Sequence, residues 1–224
     1  MHSETWISVD VETSGPTPGT ASLLAIGACL VDRPEEGIEL LLRPDPALPW
    51  RDDAEAVHHL GRDRLARGGL EPGRAMELLA AWIDQVVPPG SRPVFVAFNA
   101  PFDWMFVADC AWRYLGRNPF GISALDLKSL YLGRHLDIVE RWADTTKQHV
   151  RRHCLIDLPH THGALDDARE QAEICRFILA GATVSRPEDR GISAPGDRGG
   201  SDAGVVNIRG DHVVDQGAGD QRED

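Results

Sequence analysis

The sequence has few cysteines, no long apolar run and no excess of basic residues, and each shortage excludes a class of protein. The four cysteines, at positions 29, 110, 154 and 175, lie far apart with no C-x-x-C pair, which excludes a disulfide framework and a zinc knuckle. The longest apolar run, residues 23–31, is too short to span a bilayer, and residues 1–6 lack the build of a signal peptide. We therefore expect free thiols in a soluble, cytoplasmic protein with no membrane partner.

The charge balance is acidic, because 23 Lys and Arg residues stand against 35 Asp and Glu residues, a formal net charge of −12. This balance argues against a protein that coats nucleic acid with a basic surface. It does not exclude an enzyme that acts on nucleic acid, since a site that gathers carboxylates around divalent cations is itself acidic. With 224 residues, 42% of them hydrophobic, the chain can fill a core, which excludes a wholly disordered protein.

The composition changes near residue 181, after which large apolar residues are almost absent and Gly, Asp, Arg and Ser dominate. Segments of that composition bury too little apolar surface to fold. We therefore predict one folded domain, residues 1–182, followed by a Gly/Asp/Arg-rich disordered tail, residues 183–224.

Within the folded part, runs of β-branched and apolar residues alternate with turn-rich segments and helical patterns. Strands are predicted at residues 5–12, 22–32, 37–43 and 93–98, the first three as a meander. Helical character is predicted at residues 53–67, 73–87, 101–115 and 164–179. A short apolar piece at 122–125 precedes two further helical segments. This order predicts an α/β fold with an antiparallel opening.

The first candidate site is S-V-D-V-E-T-S-G, residues 8–15, near the end of an otherwise apolar strand. The strand period of two places Asp10 and Glu12 on one face. Two neighbouring anions at a buried strand end repel, and each loses hydration unless a cation compensates. Either a divalent metal binds this pair, or the pair is an exposed acidic strand end.

The second candidate is V-A-F-N-A-P-F-D-W-M-F-V, residues 96–107, where Asp103 falls in the first turn of a helix. A carboxylate there can simply stabilise the helix dipole, by ~0.3–1 kcal/mol. Its neighbours Phe102, Trp104, Met105 and Phe106 are all apolar, which favours a carboxylate that points into a site.

The third candidate is T-H-G-A-L-D-D-A-R-E-Q-A-E-I, residues 161–174. A histidine just before a helix and a carboxylate one turn inside it can converge on one point. The residues alone leave two choices open, His160 or His162 and Asp166 or Asp167, and a capping or surface histidine is also an ordinary explanation.

The three segments, in this order and spacing, resemble the DEDDh branch of the DnaQ-like 3'-5' exonucleases over roughly residues 4–180. The third family motif, H-x-A-x-x-D-A, selects His162 over His160. It also selects Asp167 over Asp166. The residues that match the family's motifs are Asp10, Glu12, Asn99, Asp103, His162 and Asp167.

The resemblance implies an RNase H-like fold, in which helices flank a mixed sheet that opens with a three-stranded antiparallel meander. It implies a metal-dependent enzyme that removes nucleotides from the 3' ends of single-stranded DNA or RNA and releases nucleoside 5'-monophosphates. Two Mg²⁺ or Mn²⁺ ions would be held by oxygen ligands, and His162 would be the general base. The implied metal ligands are Asp10, Glu12, Asp103 and Asp167.

The resemblance also implies contacts to the terminal nucleotide, and two departures from the family pattern lie near them. The implied contact residues are Thr13, Ser14, Gly15, His58, Leu60 and Asn99. Phe98 stands where many relatives have His, and His59 replaces the Gly of a V-H-G-I element. Both departures put the substrate preference in doubt, while the five implied catalytic residue types are retained.

The sequence leaves open two alternatives to an exonuclease, the role of one basic cluster and the oligomeric state. The chain can be a catalytically silent nucleic-acid-binding module, or a phosphodiesterase restricted to very short oligonucleotides. The basic cluster formed by Lys147, His149, Arg151, Arg152 and His153 either contacts upstream phosphates or lies on a solvated helix face. A homodimer is an expectation from the resemblance alone.

Overall fold

The structure is a computed structural model that describes residues 3–137, 139–154 and 163–180. All of these residues belong to one compact unit, which spans Met1–Arg186. The predicted tail, residues 183–224, lies outside the described residues, so the predicted boundary at residue 182 stays a prediction.

A five-stranded mixed sheet forms the centre of the described residues, in the order β3-β2-β1-β4-β5. β1 pairs antiparallel with β2, and β2 pairs antiparallel with β3. β4 pairs parallel with β1 and with β5. The strand bounds are β1 Ser3–Thr13, β2 Leu23–Leu30, β3 Gly37–Leu41, β4 Ser91–Ala97 and β5 Ala124–Asp126.

Seven α-helices and one 3-10 helix connect and cover these strands in the described part of the chain. The helix bounds are α1 Asp52–His58, α2 Arg62–Gly68, α3 Pro72–Val86, α4 Ala100–Leu115, α5 Leu127–Arg134, α6 Lys147–Cys154 and α7 Ala164–Leu179, with the 3-10 helix at Trp142–Thr145. Among the described residues, no helix combines the length and the apolar character that crossing a membrane requires.

Buried side chains form two clusters, one on each face of the sheet. One cluster joins the sheet to α3 and α4, and the other joins it to α5, α6 and α7. Along β4, Phe95 and Ala97 belong to the first cluster and Val96 to the second, as the strand period of two requires. Every residue of β2 is buried, which places this strand in the middle of the core.

The close approach of α7 to β2 depends on Gly27. A Cβ atom at this position would lie 2.1 Å from the backbone carbonyl carbon of Ala164. Such a distance is a hard steric clash, so only glycine lets the first turn of α7 rest on the strand. The packing carries the start of α7 to the C-terminal part of β1, because Gly27 is the cross-strand partner of Asp10.

The structure confirms the predicted fold class, including the opening meander, and it corrects one detail of the helices. Residues 53–67 do not form one helical stretch, because His59 takes a left-handed conformation with φ 57° and ends α1. Glycine adopts this conformation most readily, which gives a backbone reason for the Gly expected at this position in relatives. The short apolar piece at 122–125 overlaps the edge strand β5, Ala124–Asp126.

Candidate active site

The end of β1 carries the first two candidate carboxylates. β1 pairs with β4 only up to Ser8, so the strand continues past its parallel neighbour and leaves that side of residues 9–13 open. Asp10 and Glu12 project from the same face of this extension. Both are partly buried, which rules out the simple exposed strand end that the sequence allowed.

Asp103 reaches the same place from α4. The helix begins immediately after β4, and Asn99 makes the connection in a left-handed conformation with φ 66°. The side chain of Asp103 is buried, and its Oδ1 accepts a hydrogen bond from the backbone N–H of Val11 at 3.1 Å. Asp103 therefore binds the backbone between the two β1 carboxylates and does more than stabilise a helix dipole.

Asp167 comes from the first turn of α7, which Gly27 allows to approach the sheet. Each of Asp10, Glu12 and Asp167 contributes one carboxylate oxygen to a cluster, and these three oxygens all lie within 4.8 Å of one another. Among the described residues these three form the one such cluster of His, Cys, Asp or Glu side chains. Asp166, the alternative that the sequence left open, is exposed and pairs with Arg169 at 3.2 Å.

Burial makes the negative charge of this cluster costly. Burial raises the pKa of Asp10 to about 7, although the nearby Lys147 opposes the shift. Burial, followed by repulsion from Asp10, raises the pKa of Glu12 to about 9. Burial and the charge of Asp10 also hold the pKa of Asp103 well above its usual range. Bound cations would relieve this cost, because they favour the ionised carboxylates.

The donor set fits a hard divalent cation. The clustered ligand atoms are all carboxylate oxygens, which suit Mg²⁺ and Mn²⁺ and do not suit soft metals. Asp103 lies beside them and shares their unfavourable ionisation. The residues that could hold metal ions are thus Asp10, Glu12 and Asp167, with Asp103 adjacent.

α7 contributes more to the site than Asp167. Gln171, one turn further along the helix, donates a hydrogen bond from Nε2 to Oδ1 of Asp10 at 2.5 Å. Its Oε1 accepts the backbone N–H of Phe98 at 2.8 Å. Gln171 therefore joins three elements, β1, the end of β4 and α7, and orients Asp10. Sequence reasoning missed this residue, although its position four after Asp167 places it on the same helix face.

Glu170 is a second residue that sequence reasoning missed. Its side chain is buried, and it forms ion pairs with two members of the predicted basic cluster. Its Oε2 lies 3.3 Å from Nζ of Lys147, and its Oε1 lies 2.6 Å from Nε of Arg151. The Nζ atom of Lys147 also lies 3.3 Å from Oδ1 of Asp167. Lys147 and Arg151 therefore contact carboxylates, so neither matches the solvated helix face, which was one of the two alternatives for this cluster.

The residues expected to contact a terminal nucleotide after the first motif form a tight loop. Thr13 donates its hydroxyl to the carbonyl of Gly15 at 2.8 Å. The hydroxyl of Ser14 accepts the backbone N–H of Ser22 at 2.8 Å and donates to the carbonyl of Pro49 at 3.3 Å. The side chains of Thr13 and Ser14 thus hold the loop that follows the carboxylate pair.

The other expected contact residues lie at or near helix ends. His58 is buried at the end of α1, where its Nδ1 accepts the backbone N–H of Leu60 at 2.9 Å and its ring packs edge-on against Trp50. Leu60 is partly buried, and Asn99 is exposed before α4. His162, the expected general base, lies outside the described residues, two positions before the first residue of α7 in the sequence.

Comparisons with known proteins give one clear relative in sequence and several in structure. Models of known protein families give no match to this chain. The chain is 42% identical over 178 residues to the 3'-5' DNA exonuclease Cap18 of Escherichia coli, an alignment that covers 78% of this chain and 91% of the relative.

Solved structures share the fold at low sequence identity. The nuclease domain of 3'hExo, a DEDDh family member bound to rAMP, superposes with a TM-score of 0.67 at 12% identity, covering 81% of this chain and 94% of that one. Exonuclease I from Methylocaldum szegediense superposes with a TM-score of 0.61 at 18% identity, covering 79% of this chain and 40% of that one. The extent and identity of the Cap18 alignment, together with the shared fold, confirm the family resemblance: the chain is a 3'-5' exonuclease of the DEDDh family.

Proposed function

We propose that this exonuclease is metal-dependent and that it releases nucleoside 5'-monophosphates from the 3' end of a single strand, using two Mg²⁺ or Mn²⁺ ions. The metal ligands would be Asp10, Glu12, Asp103 and Asp167. The observation that supports this most directly is the 4.8 Å cluster of oxygens from Asp10, Glu12 and Asp167. When bound, divalent ions supply charge neutralisation and activation of the attacking water.

The residues of the chain have separate tasks in this proposal. The β1 carboxylates, Asp103 and Asp167 hold the cations, and Gln171 keeps Asp10 oriented. Asp103 also fixes the backbone of β1 through Val11. His162 takes the proton of the attacking water, since a neutral imidazole with a pKa of about 6.5 is a competent base at pH 7. The match of His162 to the third motif of the family supports this role.

For the substrate, we propose single-stranded DNA first and RNA second. The relative at 42% identity is named a DNA exonuclease, and the 3'hExo nuclease domain was solved with a ribonucleotide, rAMP. The terminal nucleotide would contact the loop of Thr13, Ser14 and Gly15. The remaining contacts would come from His58, Leu60 and Asn99.

The decisive experiment is digestion of matched DNA and RNA oligonucleotides labelled at the 5' end. With Mg²⁺ or Mn²⁺ we expect a ladder that shortens from the 3' terminus, and no cleavage in a chelator or with Asp10→Asn. A length series from two to thirty nucleotides separates a general exonuclease from a phosphodiesterase restricted to very short oligonucleotides. Internal cuts, or activity that survives chelation, would contradict the proposal.

We also propose that the protein is cytoplasmic and that it forms a homodimer. All four cysteines are free, three of them buried, which supports a reducing compartment. Cell fractionation tests the location, and light scattering during size exclusion tests the dimer.

A further inference from the structure

A positive charge is built into the carboxylate cluster itself. Lys147 is the first residue of α6, and its Nζ lies 3.3 Å from Oδ1 of Asp167 and 3.3 Å from Oε2 of Glu170. Its side chain is only 25% exposed. Asp167 is a member of the carboxylate cluster that could hold a metal ion. The ammonium group of Lys147 therefore neutralises a carboxylate that a divalent cation would also bind.

Lys147 has a second anchor that does not depend on the metal. Glu170 lies one turn after Asp167 on the same face of α7, and 4% of its side chain is exposed. Arg151, one turn after Lys147 on α6, lies 2.6 Å from the other oxygen of Glu170. A buried carboxylate between two cations is a fixed point, so Lys147 stays attached to the site when Asp167 changes its partner.

The ammonium of Lys147 stays charged in this environment. Burial acts to lower the pKa of Lys147, but the charges of Asp10, Asp167 and Glu170 outweigh burial and raise the pKa. An ammonium group 3.3 Å from Asp167 competes with a divalent cation by direct repulsion over a few ångströms.

We propose that Lys147 is a positioning residue of this site, a counter-ion that pairs with Asp167 in the metal-free protein. When a divalent cation binds, Asp167 exchanges Lys147 for the cation, and Lys147 stays paired with Glu170. The inference rests on the proposed function, because it requires a metal ion at Asp167. In this arrangement the lysine holds the Asp167 side chain in place before metal binds. It also weakens the metal site, which makes cation binding reversible.

The first test is calorimetric titration with Mn²⁺ alone. The chain contains only two lysines, Lys128 and Lys147, so Lys128→Met is a matched control that removes the same charge from α5, where Lys128 stacks over Trp142. We expect Lys147→Met to bind Mn²⁺ about tenfold more tightly than the unsubstituted protein, because a repelling charge is gone. Lys128→Met should bind as the unsubstituted protein does.

The second test is NMR of the unsubstituted protein with ¹³C-labelled lysine, which gives two Cε signals that Lys128→Arg assigns. At saturating Mg²⁺ we expect the Lys147 signal to move and the Lys128 signal to stay. This measurement does not depend on catalysis, and it decides the matter even where Lys147→Met fails to fold.

The outcomes separate this inference from the proposed function. If neither Mg²⁺ nor Mn²⁺ binds the protein, the metal site itself is wrong and both proposals fall. If the metal binds while the Lys147 signal stays in place, or if Lys147→Met gains no affinity, only the role of Lys147 is overturned.

Discussion

Gly27 lies directly opposite Asp10 in the β1–β2 pair, and the first turn of α7 rests on its α-carbon. The absent side chain therefore sets the distance between two parts of the active site, the β1 carboxylates and Asp167. A backbone contact of this kind cannot relax by turning a side chain, because the atoms that a Cβ would meet are the carbonyl group of Ala164 and the nitrogen of Leu165.

Gly27→Ala is expected to displace α7 and reduce both stability and activity. Overpacking of this kind costs on the order of 1–3 kcal/mol, which lowers the melting temperature by roughly 2–12 °C for a chain of this size. The shift of Asp167 should lower the exonuclease rate at least about tenfold. Thermal unfolding and a 3'-end digestion rate measure the two effects.

Gly133→Ala is the matched control for that substitution. Gly133 lies in α5, where an added Cβ meets nothing within 4 Å, so alanine there should leave the rate unchanged and raise stability slightly. A Gly27→Ala protein as active as Gly133→Ala would show that the α7 contact does not set the site.

Asp167→Asn and Asp166→Asn should differ sharply, although the residues are adjacent. Asp167 belongs to the oxygen cluster, so in the proposed mechanism its neutralisation removes a metal ligand worth several kcal/mol in the transition state. The expected loss of rate is at least about a hundredfold. Asp166 is exposed and pairs with Arg169, so its variant should keep nearly full activity. Equal losses would contradict the assignment.

Gln171→Met should slow the reaction by acting through Asp10. The variant fills a similar volume but loses the bonds to Asp10 and to the Phe98 backbone. We expect kcat to fall about tenfold with KM nearly unchanged, since orientation of the reacting groups is what is lost. Gln148→Met, an exposed position on α6, is the control. A change confined to KM would point to substrate binding and contradict the orienting role.

The metal-free protein should lose stability as the pH rises. The pKa of Asp10 is raised to about 7 and that of Glu12 to about 9, from ordinary values of 3.8 and 4.5. The folded chain therefore binds more protons than the unfolded chain, and this contribution, complete below about pH 4, is lost as the pH passes through both raised values.

Divalent cations should reverse that trend, because they favour the ionised carboxylates. The melting temperature in chelator should fall between pH 6 and 9, and the rise on adding Mg²⁺ should grow over the same range, reaching several degrees or more. Thermal unfolding with and without Mg²⁺ measures both. Asp10→Asn/Glu12→Gln should give a flatter profile, and an equal slope in that variant would contradict the assignment.

His162→Ala should lower the exonuclease rate by at least about tenfold, within the ~10²–10⁴ typical of a lost general base. The rate of the unsubstituted enzyme should rise with pH through about 6.5, where imidazole becomes neutral. His160→Ala is the neighbouring control and should keep its activity. A profile that is unchanged in His162→Ala would assign the base elsewhere.

The sequence was sufficient to predict the class of fold and the elements that carry the four carboxylates. Strand and helix periods report which residues share a face, and the motif spacing chose Asp167 over Asp166. The contacts of Gln171 with Asp10 and of Lys147 with Glu170 could not be predicted in the same way. They join residues from 23 to 161 positions apart, and no local period reports a pairing between separate elements.

The break between α1 and α2 could not be predicted from the sequence for a related reason. Composition at residues 53–67 favours helix throughout, while the break depends on one backbone conformation at His59. Histidine adopts that conformation more often than most residues but far less readily than glycine, so it gives a weaker signal for a break than glycine would.

The left-handed turn at Asn99 bears on how inactive relatives can be told from active ones. Asparagine is among the few residues besides glycine that adopt this conformation readily, so the turn alone is reason enough to retain it. A descendant that had lost its chemistry but still folded would keep this asparagine and let the acidic positions drift. Acidic side chains at positions 10, 12 and 167 are therefore the ones that distinguish an active enzyme from an inactive homologue that keeps the fold.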